Sequence, residues 1–210
     1  MSNNQFRYRF QLVLLAGLLL VFLWSANGPA DRFIWILEVL PAVIGVIVLA
    51  ATIRRFPLTP MLYLLIWLHA VILFIGGRYT YAEVPLFNWL RDTFEMQRNY
   101  YDRVGHFAQG FVPAMIAREI LLRASPLQPG KWLFFIVTCI CLAISAGYEF
   151  IEWWVAVGTG EAADAFLGTQ GDVWDTQWDM FLALCGAIIA QLTLSGLHDR
   201  QLRAGGYIID

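Results

Sequence analysis

Six stretches of this chain, at about 10–26, 33–53, 61–77, 102–124, 131–156 and 175–197, are apolar over the length, or nearly the length, that a helix needs to cross a bilayer. A hydrocarbon core about 30 Å thick takes roughly 20 helical residues. Backbone polar groups find no water there, so a run of this length must satisfy its own hydrogen bonds as a helix. Composition agrees, with 59% hydrophobic and 14% charged residues, against about 25% charged in an ordinary soluble domain. Mean hydropathy is +0.60. The predicted fold is all-α, a polytopic membrane helix bundle of about six transmembrane helices. With 210 residues, the expectation is a single integral membrane domain over 1–210, with short connections and no separate soluble domain.

Pro41 and Pro113 fall inside two of the spans. A bundle tolerates them because neighbouring helices can satisfy the freed carbonyls. Ala26-Asn27-Gly28 is a weak cleavage signal, so the first apolar stretch reads as a retained helix. Cys139, Cys141 and Cys185 lie in apolar runs, and a C-x-C pair on a helix points its thiols to different faces, which indicates buried thiols and neither a disulfide nor a zinc knuckle. A net charge of −2 and one lysine, Lys131, leave no basic footprint for nucleic acid.

Short connections rich in Arg and Lys stay on the cytoplasmic side. Arg7, Arg9, Arg54, Arg55, Arg118, Arg123, Lys131, Arg200 and Arg203 fall on alternate connections and both termini. Arg32, Arg78, Arg91, Arg98 and Arg103 fall on the other side, where the 157–174 loop has no basic residue. The expected arrangement has both termini cytoplasmic. The segment 79–101 carries Phe87, Leu90 and Phe94 at helical spacing with Arg91, Asp92, Glu95 and Arg98 on other faces. It is expected to form one interfacial amphipathic helix, anchored by Tyr79, Tyr81, Trp89, Tyr100 and Tyr101.

Charge at membrane depth is costly and normally faces a cavity or a partner. Asp102 and His106 are four apart on the fourth span, with Gln109 below them, and Glu149 and Glu152 are three apart on the fifth. Asp172, Asp175 and Asp179 lead into the sixth. These spacings put each set on one helical face. Counting back from the inner anchors Arg123, Lys131 and Arg200, at about 1.5 Å per residue, places all three sets roughly 25 to 32 Å away, at the outer boundary. Glu38 lies on the same side and His69 nearer mid-membrane. Arg118 and Glu119 are expected to snorkel at the inner boundary, and His198 to be interfacial.

The predicted site is therefore Asp102, His106, Glu149, Glu152, Asp175 and Asp179. Carboxylates with an imidazole suit a divalent metal ion such as Mg²⁺, Mn²⁺ or Zn²⁺, held by Asp102, His106, Glu149 and Asp179. The same groups suit metal-free acid/base chemistry on a lipid headgroup or lipid-linked substrate, or proton or cation coupling. The competing reading pairs Arg78, Arg98 and Arg103 with these acids in a solvated vestibule. Trp153, Trp154, Trp174 and Trp178 read as belt residues, and Gly168 to Gly171 as a turn.

Asp102-Arg103-Val104-Gly105-His106-Phe107, Tyr148-Glu149-Phe150-Ile151-Glu152-Trp153 and Asp172-Val173-Trp174-Asp175-Thr176-Gln177-Trp178-Asp179 resemble the YjdF-type family of uncharacterised bacterial inner-membrane proteins over nearly the whole chain. More distantly, the same stations resemble the VanZ-like pattern of D-x-x-x-H, E-x-x-Q and D-x-x-D-x-x-x-N. Here Glu152 replaces the Gln and Asp179 the Asn, which makes the site more acidic. The first resemblance implies a location and a topology, and the second a cell-envelope or lipid context.

Overall fold

The computed structural model describes residues 3–159 and 169–207, with the side chains of 3, 4, 6 and 7 outside that description. The helices among them are α1 (Asn3–Ala26), α2 (Arg32–Thr52), α3 (Pro60–Arg78), α4 (Pro85–Thr93), α5 (Tyr101–Ala124), α6 (Lys131–Thr159) and α7 (Asp175–Ala204). No strand occurs among the described residues. Local sequence sets several boundaries. Asp31 caps α2 by accepting the Ile34 N–H at 2.9 Å, while Pro60 and Pro85 open α3 and α4, where their missing N–H leaves no helical bond unmade. The helices α2 and α5 continue through Pro41 and Pro113.

Five helices, α1, α2, α3, α6 and α7, are long and apolar enough to cross a membrane by length and composition. The sixth, α5, has 24 residues, also enough to span. Its charges are accounted for by position. It packs on α3, α6 and most extensively on α7, and Asp102, His106, Arg118 and Glu119 are all buried. The helices α6 and α7 have 29 and 30 residues, about 45 Å at 1.5 Å per residue, so they tilt or project beyond a hydrocarbon core of about 30 Å.

The interfacial helix is shorter than the sequence predicts. Only Pro85–Thr93 is helical, because Thr80, Tyr81 and Glu95 take left-handed backbone angles of 54°, 57° and 52°, which a right-handed helix cannot accommodate. Phe94 falls beyond its end and is exposed. Phe87 packs instead with Tyr81, Val84 and Tyr101.

Close contact between α5 and α7 positions everything that follows. A Cβ on Gly110 would stand 1.8 Å from the Ala183 carbonyl oxygen, and one on Gly186 would stand 2.1 Å from the Phe107 oxygen. Ala114, Ala183, Ala187 and Ala190 are fully buried. Small residues of this kind let two backbones touch in a membrane, where dispersion and polar contacts drive association. At the outer end, Asn99 donates to Val84 and Asn88 and accepts from the Tyr101 N–H. Gln170 exchanges two 3.0 Å hydrogen bonds with the Asn99 backbone, tying the segment before α7 to the start of α5.

Candidate functional site

With α5 and α7 in contact, the first turn of each brings its acidic stripe against the other. His106 Nε2 lies 3.4 Å from Asp102 Oδ1, one turn earlier on α5, and 3.7 Å from Asp179 Oδ1 on α7. Its Nδ1 is 3.2 Å from Gln109 Oε1 and 3.8 Å from Glu149 Oε1 on α6. Asp102, His106 and Asp179 each offer one ligand atom within 4.8 Å of the others, and all three residues are buried. Metals bound by such donors sit about 2.0–2.2 Å from each ligand atom, so modest side-chain rotation would close this triangle.

Two guanidiniums share the same acids. Arg98 binds Asp175 at 2.5 Å and approaches Asp102 and Asp172 at 3.7 and 3.8 Å. Arg103 bonds Asp179, Asp175 at 2.7 Å and Asp172 at 3.1 Å. The pairing expected of Arg98 and Arg103 is thus present, inside the protein, with Arg98 only 5% exposed. Arg78 does not join it. Its guanidinium donates to the Trp24 and Asn27 carbonyls and lies over the Trp24 ring.

The six predicted site residues consequently divide into roles. Asp102, Glu149 and Asp179 converge on the His106 imidazole. Asp175 is occupied by Arg98 and Arg103. Glu152 lines an adjoining cavity of about 220 Å³ together with Glu38, His69, Tyr81, Asp102, His106 and Tyr148. Glu149 Oε1 is buried without a hydrogen bond. Tyr81 enters this cavity by filling the space above Gly76 and Gly105, where an added Cβ would meet its ring at 2.3 and 2.9 Å. Burial, with Glu38 nearby, holds its phenol well above the ordinary tyrosine range, so it stays a neutral donor.

Sequence reasoning missed a second polar network toward the other end of the bundle. Arg118 and Glu119 do not snorkel, being 4% and 0% exposed, and His198 is fully buried rather than interfacial. The Glu119 carboxylate accepts from the Thr59 hydroxyl at 2.8 Å, from Arg123 at 2.6 Å, and lies 2.9 Å from His198 Nε2. Arg118 stands 3.1 Å from His198 Nδ1 and binds Asp199 at 2.7 Å. Arg123 also covers the rings of Phe56 and Tyr207. The available signal was the position of His198 one residue before Asp199, late on a helix whose partner α5 carries Arg118 and Glu119. Between the two networks Met115, Val137, Cys141 and Ala187 are 0% exposed and form an apolar layer.

The remaining expectations are quickly placed. Cys139, Cys141 and Cys185 are free thiols, but only Cys141 is buried as expected, Cys185 being half-buried and Cys139 exposed. Trp153, Trp154, Trp174 and Trp178 are exposed on the outer surface of the bundle. Residues 160–168 of the 157–174 loop, Gly168 among them, lie outside the described residues, and Gly171 takes a left-handed angle of 87° in the turn that follows.

Comparison with known proteins supports the first resemblance and lends none to the VanZ-like one. Inner membrane protein YjdF of Escherichia coli (strain K12) is 51% identical over 191 residues, covering 91% of each chain. No solved structure matches the chain. A family model described as "Predicted membrane protein (DUF2238)" matches residues 10–200, and the chain belongs to that family of membrane proteins.

Proposed function

We propose that this protein is a multi-pass inner-membrane enzyme that acts on the headgroup of an envelope lipid or lipid-linked molecule, with a divalent metal ion held at its outer face. The observation that carries this reading is the buried triangle of Asp102, His106 and Asp179, beside a cavity that Asp102 and His106 also line. A divalent metal ion bound there would polarise a phosphoryl or carbonyl oxygen and lower the pKa of a bound water. Glu149, with an unpartnered oxygen 3.8 Å from His106, is the group placed to accept a proton. Arg98 fixes Asp175, and Arg103 bonds the same Asp179 Oδ1 that faces His106, which fixes the orientation of both carboxylates. Five carboxylates, those of Asp102, Glu149, Asp172, Asp175 and Asp179, face two guanidiniums and one imidazole. A cation offsets the remainder.

The rival reading is a coupled transporter, which needs a polar route through the bundle. The apolar layer of Met115, Val137, Cys141 and Ala187 favours an enzyme with a one-sided site. We assign that side as periplasmic, with both termini cytoplasmic, from the nine basic residues on one side against five on the other. Reconstitution in vesicles of bacterial lipids tests the choice. Headgroup turnover that is abolished by His106→Ala supports the enzyme, whereas ion or solute flux abolished by Asp179→Asn overturns it.

A further inference from the structure

Glu38 of α2 and Glu152 of α6 sit in the cavity beside His106 but belong to neither ion network. Each is 7% exposed, each lines the cavity, and neither has a hydrogen-bond or ion-pair partner among the described residues. Two carboxylates on separate helices, both removed from water and both left open to a cavity, call for a positive partner. No Arg or Lys lines the cavity, and its two imidazoles are His69 and His106, the second already shared among Asp102, Glu149 and Asp179. A phosphate or carboxylate in this pocket would meet repulsion. A primary ammonium would meet two carboxylates, with the phenol groups of Tyr81 and Tyr148 adding hydrogen-bonding and cation–π surface.

The route into the cavity is also constrained. The helix α2 packs on α3, and α6 packs on α5 and α7, but α2 and α6 have no extended packing on each other. Pro41 of α2 and Ile144 of α6 line the cavity between them, and Ile144 is 46% exposed on the bundle surface. That gap faces the bilayer, so a molecule with an acyl chain can remain in lipid while its headgroup reaches the acids.

We infer that Glu38 and Glu152 form the amine-recognition subsite for an aminolipid that enters laterally between α2 and α6. The lipid source rests on the functional reading above; the match of ammonium to paired carboxylates does not. The full-length protein in detergent is incubated with equal amounts of dioleoyl phosphatidylethanolamine and dioleoyl phosphatidylglycerol, and retained lipid is counted by native mass spectrometry. The expected preference for the amine lipid is about tenfold, falling to parity in Glu38→Gln and Glu152→Gln. Equal retention of the two lipids by the unaltered protein overturns the inference, as does an undiminished preference in both Gln variants. Displacement of the amine lipid by free ethanolamine at comparable concentration overturns the lipid assignment. A preserved preference in protein that binds no metal leaves the inference standing while removing the metal reading. Lost preference with metal still bound does the reverse.

Discussion

His106 on α5 and Asp179 on α7 stand 3.7 Å apart, although 73 positions of chain separate their numbers. The contact exists because Gly110 and Gly186 let the two helix backbones touch. A Cβ at Gly110 would lie 1.8 Å from a backbone oxygen, and no rotamer change relieves that. Gly110→Val should therefore destabilise the bundle by about 1–3 kcal/mol or more and lower its detergent melting temperature. Gly45→Val, at a position with nothing within 4 Å of an added Cβ, should leave it nearly unchanged. Comparable melting of the two variants would contradict this account of the α5–α7 contact.

The two guanidiniums of the outer network should matter to stability more than any one acid. Removing Arg103 strands Asp179 and leaves Asp172 and Asp175 to Arg98 alone, and an uncompensated buried charge costs about 3–5 kcal/mol. Asp179→Asn, by contrast, leaves Arg103 its bonds to Asp172 and Asp175. Thermal unfolding should show Arg103→Met strongly destabilised and Asp179→Asn close to the parent protein. A severe loss in Asp179→Asn would mean that this acid is there for structure.

The Glu119–His198 network should behave as a structural lock independent of the outer site. Glu119 joins α3, α5 and α7 through Thr59, Arg123 and His198. Glu119→Leu leaves Arg123 and His198 without that buried partner and should cost about 3–5 kcal/mol. Lipid or metal binding by the fraction that folds should be unaltered. Binding lost in proportion beyond the folded fraction would show that the two networks are coupled.

Topology is open to a direct check. A cytoplasm-dependent reporter fused at the C-terminus should be active, and a periplasm-dependent one silent. The opposite pattern would turn the site inward and remove the envelope-facing reading.

Much of this arrangement was legible in the sequence because membrane burial leaves few residues free to be polar. The three- and four-residue spacings of Asp102 with His106, Glu149 with Glu152, and Asp175 with Asp179 marked the faces that the bundle turns inward. Pairing was less legible. Asp175 went to Arg98 and Arg103, which lie before and within the start of α5, and spacing within one helix says nothing about contacts between helices. Glu38 was placed on the same side as the site but not in it, since, Pro41 apart, the other residues lining its cavity come from α3, the turn after α3, α5 and α6. Arg118, Glu119 and His198 were read as boundary charges because they lie near helix ends. Their burial follows from the close α5–α7 packing, which depends on glycines that carry no charge signal. The shortened interfacial helix reflects left-handed angles at Thr80, Tyr81 and Glu95, residue types that do not announce such a turn.

The central claim is that Asp102, His106 and Asp179 hold one divalent cation, and elemental analysis of the purified protein tests it most directly. Protein isolated in detergent without chelator should carry a stoichiometric divalent metal. Asp102→Asn, His106→Ala and Asp179→Asn should each lose it while retaining a folded melting transition, and Asp175→Asn should keep it. Absence of metal from the parent protein after incubation with Zn²⁺, Mn²⁺ or Mg²⁺, or undiminished metal in all three ligand variants, would contradict the claim.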